Sequence, residues 1–394
     1  MIPLCVPNLA GNEGAYLAEC VSSTFVSSVG PFVSRFEHMV AEAAGTTGAV
    51  ATASGTAALH AALLVVGVRP GDLVICPALT FIASANAIAH CGASPWLLDI
   101  SHESWTLDSA IFARAITKET VADGNGRRHV ASGRRVAAVV PVFTLGTPAD
   151  MDPILDVAWN AGLPVVVDAA AALGASYKGR SSGDLGAQLT MYSFNGNKTV
   201  TAGGGGAIAG SDQKLIDAFR HLTTTARVGA DYDHDRVGYN YRMTNLQAAV
   251  GCAQMEQLDT FIAAKRRIAA RYNEAFHDVP DARPFPRPSY CESGAWFSGL
   301  LLDAADGPER SEMLRNGLRA AGIDARPFWK PMHFQAPYRD APRSALPVSE
   351  YLWNRIVTLP CSTHLSDEDQ AHVIAETLRL THQPALRPVR AASA

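Results

Sequence analysis

The sequence has 394 residues, of which 48% are hydrophobic and 18% are charged, and its formal net charge is −4. This composition excludes a disordered chain and predicts one large folded domain with a smaller one beside it. Because the net charge is negative and the basic runs are short, no nucleic-acid partner is expected.

The start of the chain and its cysteines argue against export and against a metal site. Residues 1–14 lack the basic start and the apolar stretch of a secretory signal, and no apolar run approaches membrane-spanning length. We therefore expect a cytoplasmic protein without membrane contact. The seven cysteines never approach CxxC spacing, which excludes a zinc ribbon, and most are interpreted as small buried hydrophobes.

Short apolar runs alternate with helical segments from about residue 45 to residue 210. The runs predict strands at 48–51, 72–76, 94–99, 136–142 and 163–167, and helices at 56–66, 81–89 and 151–161. Apolar strands without a period of two are typical of a mostly parallel sheet covered by helices on both faces. The polar stretch 120–135 is predicted to be an inserted loop.

The second half of the chain predicts a long helical region followed by a smaller domain. Residues 244–276 are strongly helical in pattern, and Met255, Leu258 and Ile262 form a stripe interpreted as core or dimer packing. The chain then becomes richer in proline. We predict a large domain over 1–264, a small α/β domain over 265–382 and a frayed tail over 383–394.

One lysine, Lys198, is far in sequence from every other charged residue. No other Asp, Glu, Lys or Arg occurs between Asp184 and Asp212. A lysine kept from water and from carboxylates has a lowered pKa and can attack a carbonyl group. The alternative interpretation is an ordinary solvated loop lysine.

Two further features follow predicted strands, where ligands bind in open parallel sheets. The turn at 53–57, Ala-Ser-Gly-Thr-Ala, opens a helix and can present free backbone amides to a phosphate, although Ser54 could serve simply as an N-cap. Asp168 ends an apolar strand with no other charge between Asp156 and Lys178. It needs a cationic partner if buried, unless it is itself a helix N-cap.

Together these features match the requirements of pyridoxal phosphate. The cofactor needs an anchored phosphate, a carboxylate for its ring nitrogen and a lysine for its aldehyde. A nicotinamide cofactor is disfavoured, because no predicted strand is followed by G-x-G-x-x-G.

Over nearly its whole length the chain resembles the DegT/DnrJ/EryC1/StrS family of sugar-nucleotide aminotransferases. That family has the α/β aspartate aminotransferase-like fold, the pyridoxal phosphate-dependent transferase fold type I. The resemblance rests on the motifs at 25–33, 36–37, 54–59, 77–81, 168–170, 193–198 and 238–245. Residues 25–33, the inserted loop before Arg134 and the Asn-Gly-Asn-Lys core most resemble the LegC-like branch, which aminates C4 of a UDP-linked 4-keto-6-deoxy-N-acetylhexosamine.

The resemblance implies a role for each candidate residue of the site. It implies that Lys198 binds the cofactor aldehyde and that Asp168 pairs with the pyridinium nitrogen. Gly55, Thr56 and Ser193 are implied to hold the phosphate.

The remaining implied contacts involve an aromatic ring and a second subunit. Phe81 is implied to stack on the cofactor ring. Asn240 is implied to reach the phosphate of the neighbouring subunit's cofactor, so a homodimer with shared active sites is expected. Arg242 is a further candidate at the same interface, and Lys330 is a candidate substrate contact or a structural residue.

Several positions depart from the family pattern. They bear on which sugar binds and how it is oriented, and they leave the lysine, the aspartate and the phosphate site unchanged. Ala171 occupies a position where the family usually has Gln or Glu, and Gly204 one where many members have Glu. Phe143 and Thr147 replace histidines that relatives often carry.

The resemblance implies transamination in two stages through pyridoxamine phosphate. L-glutamate would donate the nitrogen, and a 4-keto-6-deoxy sugar nucleotide would receive it. A dehydratase is disfavoured, because such members replace the lysine with histidine. A non-nucleotide keto substrate of an antibiotic or octulosonate pathway remains an alternative, as does a non-catalytic relative.

Overall fold

The computed structural model describes residues 1–124 and 126–381, so the tail predicted at 383–394 lies outside the described residues. Its helices are α1 (Glu13–Ser22), α2 (Pro31–Ala44), α3 (Gly55–Val65), α4 (Ile82–His90), α5 (Ser109–Glu119), α6 (Met151–Asn160), α7 (Gln213–Thr223), α8 (Asn245–Met255), α9 (Leu258–Phe276), α10 (Gly307–Ala320), α11 (Pro347–Leu352) and α12 (Asp367–Thr381). Three short 3₁₀ helices lie at Thr144–Gly146, Met332–Phe334 and Ala336–Tyr338.

The strands of the first half alternate with these helices as predicted. They are β1 (Gly48–Thr52), β2 (Leu73–Pro77), β3 (Ser94–Leu98), β4 (Thr120–Asp123), β5 (Gly126–His129), β6 (Arg135–Val139), β7 (Val166–Asp168), β8 (Ser176–Tyr177), β9 (Arg180–Ser181), β10 (Leu189–Ser193) and β11 (Gly206–Gly210). The later strands are β12 (Arg227–Val228), β13 (Asp233–His234), β14 (Ala282–Pro284), β15 (Cys291–Glu292), β16 (Ser298–Leu302), β17 (Arg326–Pro327) and β18 (Ile356–Leu359).

The central sheet is assembled from two ladders that meet side by side. One ladder has the order β3-β2-β6 with parallel pairing, and the other has the order β1-β11-β10-β7, in which β10 and β7 are parallel and β11 runs antiparallel to both neighbours. Parallel bridges from Val139 to Val165 and from Val142 to Asp168 connect β6 to β7. The sheet is therefore mostly parallel, as predicted.

The strands are apolar throughout because both faces of the sheet are buried. On β1, Ala49 and Ala51 belong to one core cluster and Val50 to another. On β2, Leu73 and Ile75 face the first cluster while Val74 faces the second. Helices cover each face, so no position on these strands requires a polar side chain.

The prediction of an inserted loop at 120–135 is wrong. Strands β4 and β5 pair antiparallel there and extend the sheet through β6. The charges of Arg127 and Arg128 hid the strands, because an edge hairpin can carry charged side chains and need not show an apolar run.

The helical region predicted at 244–276 forms two helices, α8 and α9, separated at residues 256–257. Met255, Leu258 and Ile262 are buried in the main core, which confirms their interpretation as packing residues. Helix α9 continues across the predicted boundary between residues 264 and 265. The domain division itself stays a prediction.

The C-terminal part forms an antiparallel sheet of order β14-β16-β18-β17 with its own core. Leu4, Leu79 and Leu145, from the first half of the chain, join this core. Consequently the C-terminal sheet lies against the carboxyl ends of the central strands, and the cleft between them contains the candidate site.

Candidate active site

Helix α3 begins at the cleft, where Ser54, Gly55 and Thr56 line the cavity. Ser54 is its N-cap, and its side chain accepts a hydrogen bond from the Ala57 amide at 3.1 Å. The other first-turn amides of a helix have no intrahelical partner, so Gly55 and Thr56 can bind an anion at the positive end of the helix dipole. The N-cap and phosphate interpretations of this turn are therefore compatible.

Close packing against strand β10 explains the glycine at position 55. A Cβ atom there would lie 3.1 Å from Sδ of Met191 and 3.1 Å from Cβ of Ser193. The same packing places Ser193, at the end of β10, beside the start of α3. The three residues predicted to hold the phosphate, Gly55, Thr56 and Ser193, line one cavity together with Lys198.

Asp168 ends strand β7 and is only 4% exposed. Oγ of Ser84 donates a hydrogen bond to Oδ2 at 2.6 Å, and the Ala170 amide donates one to Oδ1 at 3.1 Å. A turn rather than a helix follows it, which argues against an N-cap role. Burial raises the pKa of Asp168, while these two donors and the nearby charge of Lys198 oppose the rise.

Lys198 follows β10 in a turn closed by a hydrogen bond from its own amide to the Asn195 carbonyl at 2.9 Å. Its Nζ lies 3.7 Å from the centre of the Trp296 ring. The Trp296 Nε1 donates to the Asn197 carbonyl at 2.6 Å and so fixes the ring beside this loop. This geometry is inconsistent with a freely solvated lysine.

Burial lowers the pKa of Lys198 to about 8, while the charges of Asp168 and Cys5 oppose the shift. A substantial fraction of the amine is consequently neutral near neutral pH, whereas an ordinary lysine is almost fully protonated there. Neutral amine is the form that attacks carbonyl groups.

These groups share an open cavity of about 490 Å³. Lys198, Asp168 and Arg326 are the charged residues among those that line it in the described part of the chain. Aromatic and small residues form much of the remaining wall. Three of the positions that depart from the family pattern, Phe143, Ala171 and Gly204, belong to this wall.

The aromatic part of the wall includes the predicted stacking residue. Phe81 is 55% exposed, lines the cavity and lies 5.9 Å from Trp329, measured between ring centres. Arg326 lies on β17 and forms an ion pair with Asp324 at 2.9 Å. Lys330 is exposed and is absent from the residues that line the cavity.

Asn240 and Arg242 lie outside this cavity. They line a separate, more open cavity of about 650 Å³ together with Arg220 and Arg227. Arg242 donates to the Ser28 carbonyl at 3.3 Å. A single chain therefore brings together the residues predicted to contact the cofactor except Asn240, while the further candidates Arg242 and Lys330 also lie outside this cavity.

Four side chains at the site were not predicted from the sequence. Ser84 supports Asp168, Trp296 supports Lys198, Arg326 adds a cation, and Cys5 donates a hydrogen bond to the Asn197 carbonyl at 3.3 Å. Ser84, Trp296 and Cys5 each come from a segment distant in sequence from the residue that they contact. Neither Arg326, which precedes Pro327, nor Trp296, which lies just before a strand, gave a signal that distinguished it from a structural residue.

The residues present fit pyridoxal phosphate. The start of α3 offers amides to a phosphate, and the lysine has a lowered pKa. The buried carboxylate of Asp168 has two hydrogen-bond donors but forms no ion pair with Arg, Lys or His among residues 1–124 and 126–381. A protonated ring nitrogen would supply the missing cation.

No group of three His, Cys, Asp or Glu side chains suited to a metal ion occurs in the described residues. Within the same residues, none of the helices combines the length and apolar character needed to cross a membrane.

Comparison with known proteins gives matches over almost the entire chain. Residues 7–378 match the DegT/DnrJ/EryC1/StrS aminotransferase family. The chain is 37% identical over 383 residues to GDP-perosamine synthase of Caulobacter vibrioides. This alignment covers 95% of this chain and 96% of the relative. It is 35% identical over 386 residues to EpsN of Bacillus subtilis, named as a pyridoxal phosphate-dependent aminotransferase, over 97% of this chain and 96% of EpsN.

A solved structure agrees with these sequence matches. The crystal structure of a DegT DnrJ EryC1 StrS aminotransferase from Brucella abortus superposes with a TM-score of 0.84 at 29% identity. The superposition covers 94% of this chain and 96% of that chain.

Proposed function

Because the chain belongs to the DegT/DnrJ/EryC1/StrS aminotransferase family, we propose that it transfers an amino group from L-glutamate to a nucleotide-linked 4-keto-6-deoxy sugar. The product would be a 4-amino sugar nucleotide. The observation that carries the proposal is the convergence of Lys198, Asp168 and the start of α3 on one cavity.

The chain is a pyridoxal phosphate-dependent aminotransferase of fold type I, as the sequence predicted. When bound, the cofactor supplies an aldehyde for amines and an aromatic ring that accepts an electron pair. The start of α3 and Ser193 would hold its phosphate, Asp168 would keep its ring nitrogen protonated, and Phe81 would cover its ring.

Lys198 has the properties of the proton carrier that transamination requires. With a pKa of about 8, its Nζ can take a proton as the neutral amine and return it as the ammonium ion near neutral pH. The Trp296 ring beneath Nζ restricts its position and excludes water from one side. Loss of Lys198 is therefore expected to abolish proton transfer in both half-reactions.

Arg326 is the group available for the carboxylate of the amino donor. It is the second cation of the cavity wall in the described part of the chain, and its ion pair with Asp324 restricts its position. We expect Arg326→Gln to raise the KM for L-glutamate at least about tenfold with a smaller change in kcat, because a charge-assisted hydrogen bond is worth about 1.5–3 kcal/mol. Lys330→Gln is the control, because Lys330 is outside the cavity. Equal effects of the two substitutions would contradict the assignment.

The sugar acceptor is proposed from similarity and from the cavity wall. Ala171 and Gly204 leave space in the wall and Phe143 offers an apolar face, which suits the deoxysugar ring of such a substrate. The resemblance to the LegC-like branch favours a UDP-linked N-acetylhexosamine. The GDP-perosamine synthase of C. vibrioides favours a GDP-linked sugar as the second candidate.

A panel of acceptors separates these candidates. The pyridoxamine phosphate form of the protein would be mixed with UDP-linked and GDP-linked 4-keto-6-deoxy sugars and with free keto sugars, and the aminated product would be measured by mass spectrometry. Amination of a nucleotide sugar at C4 supports the proposal. Amination of free sugars alone would favour the non-nucleotide alternative, and no turnover with any acceptor would favour a non-catalytic relative.

We also propose that the active sites are shared within a homodimer. Asn240 belongs to the separate cavity rich in arginine, and Phe25, Val26 and Val29 leave exposed apolar surface on the same side of the fold as Ser28. Covering this surface with a second copy would bring Asn240 to the partner's phosphate. The cytoplasmic location stays a prediction.

A further inference from the structure

A lysine and two cysteines meet behind the loop that carries Lys198. Lys265 is 1% exposed, and its Nζ lies 3.3 Å from Sγ of Cys5 and 3.6 Å from Sγ of Cys361. The same Nζ donates to the carbonyl oxygens of Trp296 at 3.0 Å and of Cys361 at 2.6 Å. We refer to Cys5, Cys361 and Lys265 as the thiol cluster.

The thiol cluster lacks a carboxylate. Among the described ranges 1–124 and 126–381, no Asp or Glu forms an ion pair with Lys265, although its ammonium group is buried. A buried cation needs a compensating anion or hydrogen bonds for all three of its protons. Two protons are directed to carbonyl oxygens, and the third faces the two sulfur atoms. A thiolate is therefore the anion that this site can supply.

The backbone places the two cysteines on segments that contact each other. The Cys361 amide donates to the carbonyl of Leu4, the residue before Cys5, at 2.8 Å. This hydrogen bond places Cys5 and Cys361 on neighbouring segments of the chain. Both sulfur atoms also contact one nitrogen atom, so their side chains point toward each other.

We propose that Cys5 and Cys361 are a reversible oxidation site that forms a disulfide with hydrogen peroxide as the oxidant. The Cys5 thiolate attacks one peroxide oxygen, the O–O bond breaks, and hydroxide leaves and is protonated to water. The sulfur of Cys361, after losing its proton, attacks the resulting sulfenic acid and displaces a second water. Two thiols thus lose two electrons and two protons to one peroxide, and Lys265 stabilises each thiolate in turn.

The electrostatics of the cluster agree with this order of events. The hydrogen bond from Cys361 and the charge of Lys265 lower the pKa of Cys5 to about 6, against the opposing effect of burial. Burial raises the pKa of Cys361, whose side chain is fully buried. The half-buried Cys5 is therefore the thiolate that peroxide reaches, and Cys361 is the resolving thiol.

Oxidation of the thiol cluster would also change the pKa of Lys198. As a thiol, Cys5 donates to the Asn197 carbonyl, and as a thiolate its negative charge raises the pKa of Lys198. A disulfide removes both the charge and the donor. The pKa of Lys198 is then expected to fall further below its usual value, so the oxidation state of the cluster alters the reactivity of the neighbouring amine.

Cys291 is a matched control within the same chain. It is also half-buried, but burial raises its pKa to about 11, and among residues 1–124 and 126–381 no lysine or second cysteine forms a hydrogen bond with it. At pH 7 we expect iodoacetamide to label Cys5 at least about 100-fold faster than Cys291, because only thiolate reacts. Peptide mass spectrometry of the wild-type protein gives both rates without any substitution.

Peroxide treatment of the intact protein tests the proposal directly. We expect a peptide cross-link between Cys5 and Cys361 with loss of two free thiols per chain, reversed by dithiothreitol. In Cys361→Ser, Cys5 should instead accumulate as a sulfenic acid that dimedone traps, whereas Cys291→Ser should behave as the wild type.

Three outcomes would overturn the proposal. They are equal labelling of Cys5 and Cys291, oxidation of Cys5 to sulfinic acid in the wild type without a cross-link, and a cross-link from either sulfur to Lys265. None of these depends on aminotransferase activity, so failure here is distinguishable from failure of the proposed function.

Discussion

Burial beside an aromatic ring determines the reactivity of Lys198. The pKa of about 8 results from loss of hydration that the charges of Asp168 and Cys5 only partly offset. Because the folded-state pKa is below the usual lysine value, the neutral amine is populated above about pH 8 and is lost as the pH falls through that value.

The reaction of the cofactor-free protein with pyridoxal phosphate should follow this titration. We expect the observed rate to rise with pH and to reach half of its plateau near pH 8, measured by stopped-flow absorbance. Lys198→Ala should give no such phase. A midpoint near the ordinary lysine value would show that the amine is solvated in the protein.

The carboxylate of Asp168 depends on one serine from another helix. Oγ of Ser84 donates to it at 2.6 Å, and Ser84 is itself only 1% exposed. Removal of this donor leaves a buried carboxylate with a single backbone partner. Hydrogen bonds to charged groups contribute about 1.5–3 kcal/mol, against about 0.5–1.5 kcal/mol for neutral pairs.

Ser84→Ala should therefore lower the free energy of unfolding by about 1.5–3 kcal/mol near neutral pH, measured by urea denaturation. Ser182→Ala is the control, because the Ser182 hydroxyl is buried against the neutral hydroxyl of Tyr192 at 2.9 Å. Ser84→Ala alone should also weaken the binding of pyridoxal phosphate. Equal losses of stability in the two variants would mean that Asp168 is not ionised.

At the scale of elements, the phosphate end of α3 depends on its close approach to strand β11. A Cβ atom at Gly206 would lie 2.5 Å from the backbone nitrogen of Gly55, whereas one at Gly48 would meet Ile216 at an ordinary 3.5 Å. Both glycines begin strands of the same sheet. Only Gly206 lies against the helix start.

We expect Gly206→Ala to destabilise the protein by about 1–3 kcal/mol through overpacking and to weaken cofactor binding further by moving the start of α3. Gly48→Ala should change neither property measurably. Thermal denaturation with and without pyridoxal phosphate separates the two effects. Unchanged cofactor affinity in Gly206→Ala would contradict the role assigned to the start of α3.

The sequence predicted those elements whose local pattern agrees with their environment. The apolar strands β1, β2 and β3 are buried on both faces, so their composition alone indicated a covered parallel sheet. The hairpin of β4 and β5 was missed because edge strands carry charged residues. A site residue could be predicted where its own segment shows the pattern, as at Lys198. It could not be predicted where it contacts the site from a distant part of the sequence, as Trp296 does.

At the scale of the whole molecule, the expected dimer can be tested by mixing inactive variants. Lys198→Ala lacks the amine, and Asn240→Ala lacks the group proposed to serve the partner subunit. In a mixed dimer, the subunit that retains Lys198 receives Asn240 from its partner. One complete site is then restored.

An equal mixture of the two variants should regain about a quarter of wild-type activity, because random pairing makes about half of the dimers mixed with one complete site each. Each variant alone should be nearly inactive, and sedimentation should show that both remain dimeric. A mixture no more active than the mean of its components would mean that each site is built from one chain.

The central claim is that Lys198 is the amine of a glutamate-dependent aminotransferase. Its most direct test is the visible absorbance spectrum of the protein loaded with pyridoxal phosphate, recorded before and after addition of L-glutamate. We predict a visible band that glutamate bleaches in the wild type and that is absent from Lys198→Ala. A band of equal strength in Lys198→Ala, or no cofactor-dependent band in the wild type, would contradict the account.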